Sequence, residues 1–357
     1  MTVKIFEQIY DARYPPLVIA EVGINHGGCL TKAKQMADLV AASGGQCIKH
    51  QTHVVWDEMT YHAKAIKPPN ADISIWEVIE NNSLSLEQEL EFKEYSESLG
   101  LTWISTPFSR AAVDFLCEID VPFFKVGSGE CDNLPLLSHI ASKRKPVIMS
   151  TGMNTIENLK QSVDVFKEAD VPLVLLECTN AYPSPPELVS LKGILDLKQA
   201  FPGIPIGFSD HSIGPTIALA ATALGARVIE RHFTLSRYIE GPDIVCSMDA
   251  SELRYLIDRS REIAVAIQNP KTRTGPEQEV YRFARGSVVA DKDLEPGACI
   301  RPTDIWVRRP GSGEIAPDQF ERCIGRVVKN PLKKNEQISW SDLEPAVYID
   351  SFEKGGR

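Results

Sequence analysis

Eight cysteines are present, but no two are spaced as CxxC and no regular interval relates them. That argues against a zinc ribbon or a disulfide framework. Cys47, Cys178 and Cys246 lie in or beside apolar runs and read as small buried hydrophobes. The chain has no run of about 18 apolar residues, which excludes a membrane-spanning helix. Its opening, MTVKIFEQIYDARYPP, lacks the basic start and apolar core of a signal peptide. Together these absences predict a reducing, cytoplasmic setting. Positive charge is also short. The 38 Lys and Arg stand against 48 Asp and Glu, for a net charge of −10, which speaks against a nucleic-acid or anionic membrane partner.

What the chain does carry is alternation. Short apolar runs recur eight times: LVIAEVG (17–23), QCIKHQ (46–51), TWISTPF (102–108), FFKVGSG (123–129), PVIMSTG (146–152), LVLLECT (173–179), IPIGFSD (204–210) and VIERHF (228–233). They are near-continuous rather than alternating, as strands buried on both faces are. Helical patterns such as TKAKQMADLVAAS, SLEQELEFKEYSESLG and TIENLKQSVDVFKEA fall between them, opening on Ser or Thr caps. Eight βα units over roughly 250 residues predict an α/β fold, a closed (β/α)8 TIM barrel. A doubly wound open sheet is the alternative, but no GxGxxG turn follows the first run.

Residues 52–84 break the rhythm as a long polar, Pro-containing insertion after the second strand, placed at the catalytic face of a barrel. The barrel is expected over 1–270, with a polar, turn-rich linker over 271–285. Beyond it, KDLEPGACIRPTDI (292–305) weakly repeats in NPLKKNEQISWSDL (330–343), matching Leu294 to Leu332, Ile300 to Ile338 and Asp304 to Asp342. This predicts a small compact domain over 286–346 with little regular helix, then a tail over 347–357.

Polar residues at the carboxyl ends of barrel strands are the functional candidates. Here every predicted strand ends on some: Glu21, Lys49 to Gln51, Thr106, Lys125 and Ser128, Ser150, Asn180 and Tyr182, Ser209 to His211, and His232 with Asp243 beyond it. Burying so many polar groups without a polar ligand would be costly. Lys125 with Thr106, Ser128, Ser150 and Ser209 offers a fixed cation and hydroxyls, which suits a phosphate or carboxylate. His211 and His232, 21 residues apart on neighbouring strand ends, suit an open divalent-metal site with Glu21 and Asp243 nearby.

The strings IAEVGINHGG, KHQTH, STPFS, KVGSGE, STGMN, CTNAYP, FSDHS, ERHF and GPDIVCSM together resemble the sialic acid synthase family. SVVADKDLEPG and RRPGSGE resemble its antifreeze-like (SAF) domain. The resemblance implies a transferase of carbohydrate biosynthesis that condenses phosphoenolpyruvate with N-acetylmannosamine and water. N-acetylmannosamine 6-phosphate, or a diacetamido-trideoxyhexose leading to legionaminic or pseudaminic acid, is the alternative acceptor. It implies His211 and His232 as ligands of a divalent metal, Mn2+ in the usual form, with Mg2+ or Co2+ as substitutes. Thr106, Lys125, Ser128, Ser150, Asn180 and Ser209 would hold phosphoenolpyruvate. Gln51, Asn70, Glu130, Tyr182 and Asp243 would meet the sugar. Arg309 would reach it from the partner in a domain-swapped homodimer, and Glu21 would be the essential carboxylate. Two readings compete: a carbohydrate or ice-surface binder built on the C-terminal repeat, and a barrel enzyme condensing phosphoenolpyruvate with a phosphorylated aldose.

Overall fold

The computed structural model describes residues 2–67, 72–241 and 243–345. The first of two units, Met1–Asn269, is the (β/α)8 barrel. Its strands are β1 (Leu17–Gly23), β2 (Cys47–Thr52), β3 (Thr102–Pro107), β4 (Phe124–Val126), β5 (Val147–Ser150), β6 (Leu173–Cys178), β7 (Ile206–Asp210) and β8 (Val228–His232). All neighbouring pairs are parallel, in the order β3-β2-β1-β8-β7-β6-β5-β4. The two ends of that ladder, β3 and β4, lie against each other and close the ring.

The helices are α1 (Thr2–Tyr10), α2 (Leu30–Ala42), α3 (Val55–Glu58), α4 (Ile75–Asn82), α5 (Leu86–Ser98), α6 (Arg110–Glu118), α7 (Leu134–Ser142), α8 (Ile156–Glu168), α9 (Leu191–Ala200), α10 (Thr216–Ala223) and α11 (Ala250–Ala266). Side-chain caps start several of them. Ser85 accepts from the Gln88 N–H, Thr155 from Asn158 and Asp249 from Glu252. The helix expected to open on Thr31 starts one residue earlier, from Cys29, without a side-chain cap. The insertion after β2 is not an open loop. It folds into α3, a 3-10 turn (Tyr61–Ala65) and α4, and Ser74 with Glu77 forms a capping box at the last.

Strand side chains alternate between the helix-facing wall and the barrel interior. The wall packs residues such as Val18, Ile48, Trp103 and Phe124 under the helices. The interior is apolar only at its lower end, where Leu17, Ile19, Cys47, Ile104, Phe123, Ile148, Val174, Leu176 and Val228 meet. Phe6 and Ile9 of α1, a helix the sequence did not announce, close that end. Gly207 is required there, since a Cβ would come within 2.5 Å of both Leu176 and the Val228 carbonyl. One step further along the same inward face, the side chains turn polar.

The second unit, Pro270–Arg357, has its own core of Val288, Ala290, Leu294, Ile300, Ile305, Val328, Leu332, Ile338 and neighbours. In the stretch expected to be a turn-rich linker, α12 (Gly275–Ala284) forms, because Glu277 accepts from the Thr274 N–H and hydroxyl. β9 (Ser287–Ala290) pairs with β10 (Ile305–Arg308), and β11 (Val327–Val328) with β12 (Leu343–Glu344), all antiparallel. Beyond α12 the described helices are two 3-10 turns, Pro317–Cys323 and Trp340–Asp342. The repeat is a structural two-fold. Leu294 and Leu332 exchange both N–H···O bonds at 2.8 and 2.9 Å. Ile300 donates to Arg326 as Ile338 does to Val288, and Val328 donates to Ala298 as Ala290 does to Glu336. Asp304 and Asp342 each accept from the N–H three residues back.

Candidate active site

The polar layer above the apolar plug centres on two lysines and two glutamates. Lys49 on β2 places its ammonium 3.1 Å from Glu21 of β1 and 3.5 Å from Glu230 of β8, and donates to Thr106 of β3 at 3.1 Å. Lys125 on β4 donates to the Ser150 hydroxyl at 2.7 Å and lies 3.7 Å from Glu230. Ser209 on β7 donates to Glu230 at 3.2 Å. All are buried. Lys125, expected to await an external anion, thus already faces a carboxylate supplied by β8.

Burial acts on these groups unequally. It raises the Glu21 carboxyl above its ordinary range, and the Glu230 charge adds to that, while Lys49 and the Gln51 amide oppose it. Burial would raise Glu230 too, but the ammoniums of Lys125 and Lys49 outweigh it and hold Glu230 below the usual range. Lys125 is lowered by desolvation. Lys49 stays raised because Glu21 and Glu230 overcome the same penalty. Two carboxylates pushed apart in this way divide into a fixed anion, Glu230, and a group that can gain or lose a proton, Glu21.

Glu21 is held on its other side by Gln51, whose amide N–H donates to it at 2.8 Å. Gly23, at φ +46, leaves the room for this bond, since a Cβ there would come within 3.0 Å of the Glu21 oxygen and 3.2 Å of the Gln51 nitrogen. The Gln51 oxygen faces His53 Nε2 at 3.3 Å, and His53 Nδ1 meets Glu58 of α3 at 2.8 Å.

At the ends of β7 and β8, the His211 and His232 rings lie 5.3 Å apart between centroids. Tyr182 packs against both, at 4.1 and 5.9 Å. His211 Nδ1 donates to the Thr179 carbonyl at 2.9 Å, which leaves Nε2 free. His232 Nδ1 is buried with no hydrogen-bond partner among the described residues and sits 3.7 Å from an Asp243 oxygen. Desolvation lowers both imidazoles, His211 to about 4 and His232 to about 3, so both are neutral near pH 7. Two neutral imidazoles and a carboxylate are a donor set a divalent cation could use. Among the described residues no group of three His, Cys, Asp or Glu closes into a cage, so other ligands would have to complete the shell.

Beside Lys125, Ser128 accepts from the Gly152 N–H at 3.1 Å. A Cβ at Gly152 would displace the Asn180 side-chain amide from this position. Thr106 thus meets Lys49, Ser150 meets Lys125 and Ser209 meets Glu230, while Cys178 lies against both Asn180 and His211. Glu130 is half-buried and accepts from Asn133 at 2.6 Å. Arg309 is exposed in the second unit. Asn70 lies outside the described residues.

Reading the sequence left Glu230 out and gave Lys49 no role. The signal was available. Val228, Glu230 and His232 alternate along β8, so placing His232 inward places Glu230 inward as well. His26 and His50 are buried away from this layer. His50 faces Glu89 at 3.4 Å, and Thr52 donates to Glu89 at 2.6 Å. A cavity of about 980 Å³ opens at the opposite end of the barrel between α1, α8 and the start of β6. It contains none of the strand-end polar residues, and the chemistry belongs to the mouth.

Comparison with known proteins bears on both units. The NeuB family pattern matches residues 36–272 and the SAF domain pattern residues 285–344. The chain is 34% identical to an N,N'-diacetyllegionaminic acid synthase of Campylobacter jejuni, over 90% of this chain and 98% of that one. It is 32% identical to the N-acetylneuraminate-9-phosphate synthase of Homo sapiens, over 91% and 92%. A solved N-acetylneuraminic acid (sialic acid) synthetase from Leptospira borgpetersenii superposes with a TM-score of 0.69 at 30% identity, covering 75% of this chain and 90% of that one.

Proposed function

The chain belongs to the NeuB family and is a sialic-acid-type synthase, and on that footing we propose that it condenses phosphoenolpyruvate, N-acetylmannosamine and water to N-acetylneuraminate and phosphate. The observation that carries this reading is the layer in which Lys125 and Lys49 share Glu230 beside a ring of hydroxyls. A dianionic three-carbon donor fits there, its phosphate toward Lys125, Ser128, Ser150, Asn180 and Ser209, with Thr106 beside Lys49.

A divalent cation, Mn2+ by preference, would be held by His211 through its free nitrogen and by His232, and would supply Lewis-acid polarisation of the open-chain sugar's aldehyde oxygen. Tyr182, Asp243 and Gln51 orient the sugar so that the donor's methylene carbon meets the aldehyde carbon. As that carbon–carbon bond forms, positive charge appears at the enol carbon. Glu21, ionised beside Lys49, stabilises it and takes a proton from the water that adds there, which balances the proton taken up by the aldehyde oxygen as it becomes a hydroxyl. The resulting hemiketal phosphate loses phosphate by C–O cleavage and leaves the 2-keto acid. Glu230, kept ionised by two lysines, holds those ammoniums in place.

An unphosphorylated acceptor is supported by Lys64 of the insertion. Its ammonium lies over the Tyr61 and Trp76 rings, at 5.3 and 4.5 Å, rather than free to meet a second phosphate. In this reading the chain works as a homodimer whose C-terminal domains swap, with Arg309 completing the partner's sugar site. The deciding experiment is an acceptor panel: N-acetylmannosamine, its 6-phosphate and diacetamido-trideoxyhexoses, each with phosphoenolpyruvate and Mn2+, with products identified by mass spectrometry. Highest kcat/KM with N-acetylmannosamine supports the proposal. Highest kcat/KM with another member reassigns the acceptor, and no phosphate release with any member overturns the reaction.

A further inference from the structure

The insertion reaches the catalytic carboxylate through a chain of side chains whose outer members, Glu58 and His53, the reaction above leaves unused. Glu58 Oε2 lies 2.8 Å from His53 Nδ1, His53 Nε2 lies 3.3 Å from Gln51 Oε1, and Gln51 Nε2 donates to Glu21 Oε1 at 2.8 Å. The imidazole also stacks on Phe108 with centroids 4.5 Å apart and planes within 8°, and its side chain is 2% exposed.

We propose that His53 and Glu58 are positioning residues for the condensation: they fix which end of the Gln51 amide faces Glu21. An amide has a donor end and an acceptor end of nearly the same shape, so packing alone cannot choose between them. A hydrogen-bond donor on the far side can. With His53 Nε2–H donating to the Gln51 oxygen, the amide NH2 is turned toward Glu21, where it favours the carboxylate form. Reversed, the amide oxygen would face that carboxylate and favour its protonated form. In the imidazolium form, which alone carries an N–H on both nitrogens, Glu58 accepts from Nδ1 and holds the ring in register, as a carboxylate does behind an orienting histidine. The remaining charged or titratable groups around Glu21 are Lys49 of β2 and Glu230 and His232 of β8. Around His53 they are Glu58, with His26, His50 and Glu89 behind β2. None of these can take over the contact with the Gln51 oxygen.

The inference rests on Glu21 acting in the reaction, and its test separates the two. The assay is phosphate release by the full chain from phosphoenolpyruvate, with Mn2+ and the best acceptor of the panel above. His53→Phe keeps a flat ring over Phe108 and removes both N–H groups. The expected result is a kcat about tenfold lower, with KM for both substrates within about twofold. The acid limb of the kcat–pH profile should also move to higher pH. His53→Gln, which returns a donor on a flexible stem, should recover most of the loss. Glu58→Gln should move the profile in the same direction by less. If His53→Phe melts with the parent chain yet keeps its kcat and acid limb, the positioning role is overturned. A raised sugar KM at unchanged kcat also overturns it, in favour of a sugar contact. If His53→Phe does not fold, His53→Gln decides: a loss of kcat with no movement of the acid limb overturns the proposal. Glu21→Gln tests the underlying reading independently. Full turnover in that variant removes Glu21 from the chemistry, whereas an inactive Glu21→Gln beside a native-like His53→Phe removes only the relay.

Discussion

The Lys49 ammonium lies 3.1 Å from the Glu21 carboxylate, and neither side chain is more than 5% exposed. A buried pair matters chiefly through what its loss leaves behind, a charge without a partner in a poor solvent for charge. Lys49→Met is therefore expected to lower the unfolding free energy by about 3 kcal/mol. Urea denaturation checks this, and a midpoint equal to that of the parent chain would contradict it.

On the proposed function, Lys125 discriminates between the two substrates. Its ammonium donates to the Ser150 hydroxyl, within the ring of hydroxyls assigned to phosphoenolpyruvate. Lys125→Met should raise the KM for phosphoenolpyruvate about thirtyfold, the worth of one charge-assisted hydrogen bond. The sugar KM should change little. Initial-rate kinetics with each substrate varied would show the asymmetry; equal effects on both would refute it.

Metal binding can be followed without turnover. Equilibrium dialysis of Mn2+ against the parent chain should show one site per chain that a chelator empties. His211→Ala and His232→Ala should each weaken it at least about tenfold. Undiminished Mn2+ binding in both variants would move the ion elsewhere.

The proposed swapped dimer predicts complementation. Arg309→Ala should weaken sugar binding more than phosphoenolpyruvate binding, and mixing it with His211→Ala chains should restore partial activity. In such a mixture one of the two mouths recovers an intact barrel with an intact arginine. An absence of rescue after confirmed subunit exchange would exclude the trans arrangement.

Glu89 makes a pH prediction about stability. Burial raises its carboxyl to about 8 from an ordinary 4.5. In that window the unfolded chain has lost a proton that the folded chain keeps. Stability therefore falls as pH rises from about 4.5 and levels off above about 8, with a slope of at most about 1.4 kcal/mol per pH unit. The buried neutral imidazoles of His26 and His50 act oppositely, but only below their ordinary value of 6.5. The cleanest comparison is thus urea unfolding of the parent and Glu89→Gln between about pH 6.5 and 8, where the parent should lose stability relative to the variant progressively with pH. A pH-independent difference would contradict the assignment.

Strand order and most of the mouth were legible because period and composition carry them. The eight apolar runs coincide with β1 to β8 to within a few residues at either end, and their polar termini include most of the groups that meet in space. Glu230 was missed because a charged residue flanked by Ile229 and Arg231 looks like a strand that is ending rather than one crossing a polar layer. Its role depends on Lys49 and Lys125, which come from β2 and β4. His53 and Glu58 were illegible for a related reason. Five residues apart in an irregular stretch, they are brought together only by the turn into α3. The helix α1 left no chemical signal at all, since its task is to fill space beneath Phe123.

The two-fold in the C-terminal unit limits how that unit can be built. The reciprocal bonds of Leu294 with Leu332, and the matched bonds at Ile300 and Ile338 and at Ala290 and Val328, all run from one copy of the motif to the other. A single copy would keep its sequence but lose every one of these partners, so one motif is not half of a stable fold. Duplication here was the condition for having a domain, and trimming it to one copy would leave a peptide.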